Sequence, residues 1–440
     1  MKLKTLSIIF LLAGFISISS RLFSQGPVCD ALTPGLIPLN DLGAGFYSGF
    51  QGGFYPSGQL TESPASQHFK KGKNFAKNMQ PLNASGAVDY DNGVVLMAGF
   101  GPSVPLHLID SLISIVHNDF DGYKTNPCFD LINLCIGGRG LDFAVGPDSY
   151  KYWDSLENTI AVRGYNINQL QVGWMYFNAK YDSLNPLEFP EHAINVKDDY
   201  ITWLQLCKEH FPNMKIMFVS GRHYGGFCDT TIEQLPAAGE PASYYNNFTV
   251  KWLIEDQINN VPGLQYFGAA PVAPYVTWGP YFWTNGATPR ITDGRSYGCE
   301  KFSDDGFHLT DETNHEDADY MMQHLYNSEY AKYYLKKGTK WNGCTLYTGE
   351  EKNNGDIIPD ENGFTIYPNP ASDLIYVNNA NRDLIQAVEI YDITGQLLYT
   401  SEIKDQSTTI SIDIDFLHSG LYLLHFKSGG FYFARSFYKE

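Results

Sequence analysis

Basic side chains are scarce in this chain: 30 Lys and Arg stand against 48 Asp and Glu, a formal charge of −18. Affinity for a nucleic-acid backbone comes from Lys and Arg, so this balance argues against that class of partner. Long apolar runs are also missing. Residues 8–18 form one apolar stretch, short for a bilayer span, behind Lys2 and Lys4 and ahead of small residues. That order reads as a secretory signal, residues 1–24, with cleavage expected near Ser24 and Gln25. No other stretch is apolar enough to span, so the mature protein is expected to have no transmembrane segment. Cysteines are few and odd in number, seven. Export permits disulfides, the odd count leaves at least one thiol unpaired, and the connectivity stays open. No Cys or His pair has zinc-ligand spacing, so neither a metal nor another cofactor is expected.

What is present divides the 440 residues into parts. Residues 25–93 are rich in Gly, Pro and aromatics with poor periodicity, which predicts loops and short strands decorating a core. At Gly93 the texture changes. Val94-Val95-Leu96-Met97-Ala98 is a continuous apolar run, as in a strand buried on both faces, and ends in Gly99-Phe100-Gly101-Pro102-Ser103. Leu108, Leu112, Ile115 and Val116 then recur at helical spacing. The alternation repeats. Strands are predicted at residues 129–134, 170–176, 215–220 and 264–268, and helices over 153–163, 197–210, 248–258 and 318–335. Alternating strands and helices predict an α/β domain, residues 94–345, with a parallel sheet between helical layers. Ligands of such sheets sit beyond the carboxyl ends of the strands. The candidates there are Ser103, Gly137, Gly138, Asn178 and Arg222.

After a polar linker, residues 346–362, the chain turns to short alternating strands with Gly-containing turns, the pattern of a small β-sandwich over 363–440. The stretches Tyr367-Pro368-Asn369-Pro370-Ala371, Ile390-Tyr391-Asp392-Ile393-Thr394-Gly395 and Ser419-Gly420-Leu421-Tyr422 carry a resemblance. They look like the C-terminal sorting domain of the type IX secretion system of Bacteroidetes. The resemblance implies that the type IX machinery is a partner and that the protein is secreted or attached to the cell surface.

Chemistry concentrates in Ser303-Asp304-Asp305-Gly306-Phe307-His308-Leu309-Thr310. An acid placed before a histidine in one loop can orient the imidazole and stabilise its charged form while the imidazole moves a proton. Asp-x-x-His followed by Leu-Thr resembles the last sequence block of the SGNH (GDSL-type) hydrolases, and the order of strands extends the resemblance over residues 90–335. It implies an SGNH-like three-layer α/β domain. It implies Asp305 and His308 as the dyad, Gly137 or Gly138 as an amide donor, and Asn178 as a side-chain donor to the oxyanion. Arg139 and Arg222 are candidates for meeting the substrate. The first block departs from the family's Gly-Asp-Ser. Counted from Gly101, Ser103 takes the nucleophile's place, provided that two added residues are absorbed at the strand end. Counted from Gly99, Gly101 takes it and has no hydroxyl. The expected function is therefore a secreted serine hydrolase of esters, such as acyl esters of carbohydrate. The alternative is a non-catalytic relative that binds a glycan or another ligand in the same cleft.

Overall fold

The computed structural model describes residue 29, residues 35–118, 122–177, 188–228 and 239–338, and, in the C-terminal part, 364–367, 369–379, 385–392, 396–403, 409–428 and 431–439. The signal segment, the linker and Asn178 lie outside the described residues. So do the sorting-tail turn at Thr394-Gly395 and Cys344.

Five apolar segments become a parallel sheet because each is buried on both faces. They are β1 (Val95–Phe100), β2 (Phe129–Asn133), β3 (Leu170–Met175), β4 (Ile216–Val219) and β5 (Tyr275–Trp278). All six residues of β1 are buried, and Met97 pairs with Leu131 on one side and Val172 on the other. The sheet order is β2-β1-β3-β4-β5. The chain steps from β1 to β2, then returns past β1 to β3. The crevice beyond the carboxyl ends of β1 and β3 is thus the switch point where open α/β sheets take ligands.

The fifth strand is not where the sequence pattern put it. Residues 264–268 run as turn and coil, and the edge strand is β5, at residues 275–278. The Leu264 side chain is buried all the same, but Phe267 is 44% exposed. The segment therefore lacks the two covered faces of a central strand.

Helices cover the sheet. In chain order they are α1 (Gln67–Lys77), α2 (Ser103–Asn118), α3 (Leu141–Val145), α4 (Ser149–Val162), α5 (Glu191–His210), α6 (Ala242–Ile258), α7 (Asp311–Asn327) and α8 (Lys332–Leu335). The pattern read over 318–335 as one helix is two, separated at Ser328. His192 sits in the first turn of α5, where burial lowers its pKa to about 4. The region before residue 93 holds a short hairpin, Phe46–Tyr47 with Phe50–Gln51, and a helix besides its loops. Ser66 caps α1 by accepting from the Phe69 N–H at 3.2 Å. Gly72 then lets α1 lie on β5, since a Cβ there would stand 2.2 Å from the Tyr275 ring.

A disulfide joins Cys29 to Cys299 across 270 residues. In the chain-entropy picture a loop that long stabilises the fold by on the order of 5 kcal/mol. Cys128 is also disulfide-bonded.

The C-terminal part forms its own core of Ile375, Val377, Val388, Ile390 and Leu424. Its strands are β6 (Phe364–Tyr367), β7 (Leu374–Asn379), β8 (Ile385–Asp392), β9 (Leu397–Glu402), β10 (Thr409–Asp413), β11 (Gly420–Ser428) and β12 (Phe431–Lys439). They make antiparallel sheets in the orders β9-β8-β11-β12 and β10-β7-β6.

Helix α2 starts at Ser103 and packs between β2 and α7, with Leu108 and Leu112 fully buried. Leu108→Ala is expected to cost about 2–5 kcal/mol. Chemical denaturation of the secreted protein against wild type measures it.

Candidate active site

Strand β1 effectively runs on to Gly101. The Gly99 carbonyl accepts from the Leu134 N–H at 2.9 Å, the Phe100 carbonyl from Tyr176 at 3.0 Å, and the Gly101 carbonyl from Ile136 at 2.8 Å. The two extra residues are thereby absorbed in the strand. Gly101 is pressed against the end of β3: a Cβ on it would stand 2.3 Å from the Tyr176 carbonyl oxygen. Pro102 turns the chain, and Ser103 opens α2, where backbone N–H groups have no intrahelical acceptor.

The Asp305–His308 loop closes on itself. Ser303 donates its N–H to the His308 carbonyl, and Gly306 donates to the Ser303 carbonyl, each at 2.8 Å. Gly306 has φ +64°, and a Cβ there would lie 1.8 Å from the Phe227 carbonyl oxygen, so the position requires glycine. Thr310 follows as the cap of α7, accepting from the Thr313 N–H at 3.2 Å. Asp311 and Glu312 in the first turn suit the helix dipole.

These two segments meet. Ser103 Oγ lies 2.7 Å from His308 Nε2, and His308 Nδ1 lies 2.6 Å from Asp305 Oδ2. The other carboxylate oxygen accepts the Phe307 and His308 backbone N–H groups, both at 2.9 Å. Partial burial disfavours the Asp305 carboxylate, but these hydrogen bonds, the His308 ring first, outweigh it and lower its pKa from 3.8 to about 2. The aspartate is therefore ionised at neutral pH, and its geometry holds a proton on Nδ1 and leaves Nε2 to accept from the serine hydroxyl.

The remaining sequence candidates are placed as follows. Gly137 and Gly138 form the turn after β2, immediately past the Ile136–Gly101 hydrogen bond and so beside the start of α2. Gly138 has φ +68° and open space around it. Arg139 is exposed, with its guanidinium 4.1 Å from the Phe143 ring centroid. Arg222 follows the end of β4. It is 3% exposed, its guanidinium carbon 4.7 Å from the Phe307 ring centroid and 5.5 Å from that of Tyr176, and its Nε and Nη1 have no hydrogen-bond partner among the described residues. Phe307 in turn meets the His308 ring edge-on at 4.9 Å. Arg222 thus lies under the histidine loop.

Sequence reasoning missed a buried network beside it. The His223 backbone N–H donates to the Tyr176 hydroxyl at 3.1 Å, and that hydroxyl donates to His223 Nδ1 at 2.7 Å. His223 Nε2 donates to Asp317 at 2.9 Å. Asp317 also accepts from the Tyr297 hydroxyl and from Arg295. Burial lowers the His223 pKa despite Asp317, so the ring is neutral. Asp317 belongs to an acidic run that suggests a solvated first turn or a cation site. It is instead fully buried, and among the described residues no group of His, Cys, Asp and Glu could hold a metal ion. The period of α7 was the available signal, since Asp317 falls on the face of Thr313, Met321 and Leu325.

Two outcomes are expected. Gly306→Ala should displace His308 and remove the reactivity of Ser103 while far-UV circular dichroism stays native. The folded Asp305 pKa is below its unfolded value, so its contribution to stability is complete well above 3.8 and is lost as pH falls through about 2. The stability difference between wild type and Asp305→Asn should therefore be flat near neutrality and shrink on acidification, as read by urea denaturation at stepped pH.

Residues 365–438 match a family described as the secretion system C-terminal sorting domain. No curated protein matches the chain. Among solved structures the chain is similar to a GDSL-like lipase from Parabacteroides merdae, 11% identical over 53% of this chain and 96% of that one, TM-score 0.34. It is similar to an acetyl xylan esterase, 15% identical over 52% and 98% of the two chains, TM-score 0.26. A protein with an immunoglobulin-like β-sandwich from Bacteroides vulgatus is 25% identical over 18% and 84%, TM-score 0.16. Scores this low carry no weight for the chemistry. The sorting domain marks the chain for export to the cell surface or beyond, and among the described residues no helix is long and apolar enough to cross a membrane.

Proposed function

We propose that the protein is an exported serine hydrolase acting on an ester. The observation that carries this reading is the continuous hydrogen-bonded line Ser103–His308–Asp305, with both links at 2.7 Å or less. Ser103 Oγ attacks the ester carbonyl as His308 Nε2 takes its proton, and Asp305 stabilises the imidazolium. The oxyanion forms beside the first turn of α2, where the Ser103 N–H is the first donor and the turn amide of Gly137 or Gly138 the second. His308 then returns the proton to the leaving alcohol, and water releases the acid by the same steps in reverse. Asn178 is proposed as the third donor on the strength of its place after β3. Arg139 is exposed at the same strand ends and is proposed to meet the substrate. Arg222, proposed from the sequence for the same task, acts here through Phe307 on the position of His308. The substrate is proposed to be an acyl ester of a carbohydrate, the class of ester that an exported enzyme meets outside the cell.

The non-catalytic alternative needs Gly101 in the nucleophile's place. Gly101 instead continues β1, which speaks for Ser103.

A fluorophosphonate probe on the secreted protein should form an adduct at Ser103, located by mass spectrometry, and His308→Ala should remove it. With 4-nitrophenyl acetate, Ser103→Ala should lower kcat by at least about 10³-fold and Asp305→Asn by about 10⁴-fold. Folded protein that takes no label at Ser103 would sink the proposal.

A further inference from the structure

A second cavity of about 640 Å³ opens beside β5, between α7 and the segment before residue 93. It is away from Ser103: three strand spacings separate β1 from β5, about 14 Å. Its size is that of a small-molecule site.

The chemistry of its wall is specific. Phe54, Trp278 and Tyr281 line it as a cluster, with centroid separations of 4.8 Å for Phe54–Trp278 and 5.0 Å for Phe54–Tyr281. The Trp278 indole N–H is already given to the Phe54 carbonyl at 2.8 Å, and Trp278 and Tyr281 are buried beneath Phe54, so the half-buried Phe54 ring is the aromatic face the cavity presents. Charged side chains on the wall are all matched. Lys73 pairs with Glu329 at 2.7 Å, Glu62 with His68 at 3.0 Å, and Asp293 with Arg290 at 2.6 Å. A free anion or cation therefore finds no counter-charge waiting.

Two acceptors on the wall have no hydrogen-bond partner among the described residues. Thr292 gives its hydroxyl proton to Asp41 at 2.9 Å, so Thr292 accepts from the Asn40 amide nitrogen. With the amide nitrogen on Thr292, Asn40 Oδ1, on a residue only 7% exposed, has no hydrogen-bond partner among the described residues. An unpaired buried acceptor costs free energy until a donor meets it. His324 donates Nε2–H to the Trp278 carbonyl at 3.2 Å, and burial lowers its pKa to about 4. The neutral ring then presents Nδ1 as an acceptor. The cavity thus combines aromatic surface, no spare charge, and acceptors open to a neutral O–H or N–H donor. A pyranose matches all three, with an apolar C–H face for the rings and hydroxyls for the acceptors.

We infer that this cavity binds a neutral sugar residue of a glycan, as a site separate from the Ser103 cleft. The inference does not depend on turnover at Ser103.

The test titrates the full secreted protein with cellotetraose, mannotetraose and xylotetraose by isothermal calorimetry, with sodium dodecanoate and phenyltrimethylammonium as non-sugar probes. At least one tetraose should bind. Phe54→Ala should weaken it by about tenfold or more, and Asn40→Ala severalfold, the equivalents of about 1.4 kcal/mol and less. His308→Ala should bind as wild type does, and Phe54→Ala should hydrolyse 4-nitrophenyl acetate as wild type does. Thermal melts establish that each variant is folded. No tetraose binding by folded protein would overturn the inference. So would binding that survives Phe54→Ala but fails in His308→Ala, which would place the sugar in the cleft. Phe54-dependent binding of dodecanoate or phenyltrimethylammonium with none of a tetraose would overturn it as well.

Discussion

Everything at the site depends on how far β1 runs. Hydrogen bonds from both neighbouring strands hold Gly99, Phe100 and Gly101 in extended pairing. The turn into α2 is thereby delayed until Pro102, and Ser103 is delivered to the switch point. Gly101 permits this because β3 comes too close for any side chain there. A strand two residues shorter would bring Gly101 to the turn and leave the histidine without a hydroxyl partner.

The histidine is supplied from the other end of the chain by a loop that is rigid for local reasons. Asp305 binds the imidazole with one oxygen and two backbone N–H groups with the other. Gly306 takes a left-handed conformation against Phe227, and the Thr310 cap begins α7 directly afterwards. Because α7 packs on α2, the helix that starts at the serine and the helix that follows the histidine share one apolar interface. The Tyr176–His223–Asp317 network ties α7 to the ends of β3 and β4. The Cys29–Cys299 disulfide fixes the chain just ahead of the histidine loop. Stability and reactive geometry are therefore coupled through α7.

The segment before residue 93 has a larger part than decoration. It provides a helix against the edge strand, Glu62 for His68, Tyr275 and Tyr330, and one wall of the cavity beside β5. At the edge strand itself, the Val276 N–H is taken by the Gln257 side chain of α6 at 2.7 Å.

The class of the fold was legible in the residue pattern, because buried parallel strands must be apolar on both faces and so appear as continuous runs between helical periods. The sequence also showed the sorting tail through its motif set, and the Asp305–His308 pair, because both residues lie in one short loop. The edge strand escaped it: β5 follows a Pro-rich stretch and is only four residues long, while Leu264 to Gly268 looked equally apolar. Which of Ser103 and Gly101 stands beside His308 was visible only in three dimensions, since it turns on where β3 and β2 stop pairing with β1. Burial of Asp317 and Arg222 was likewise a tertiary matter. A charged residue in a polar run looks solvated in sequence, and only the packing of α7 and the histidine loop shows which ones are enclosed.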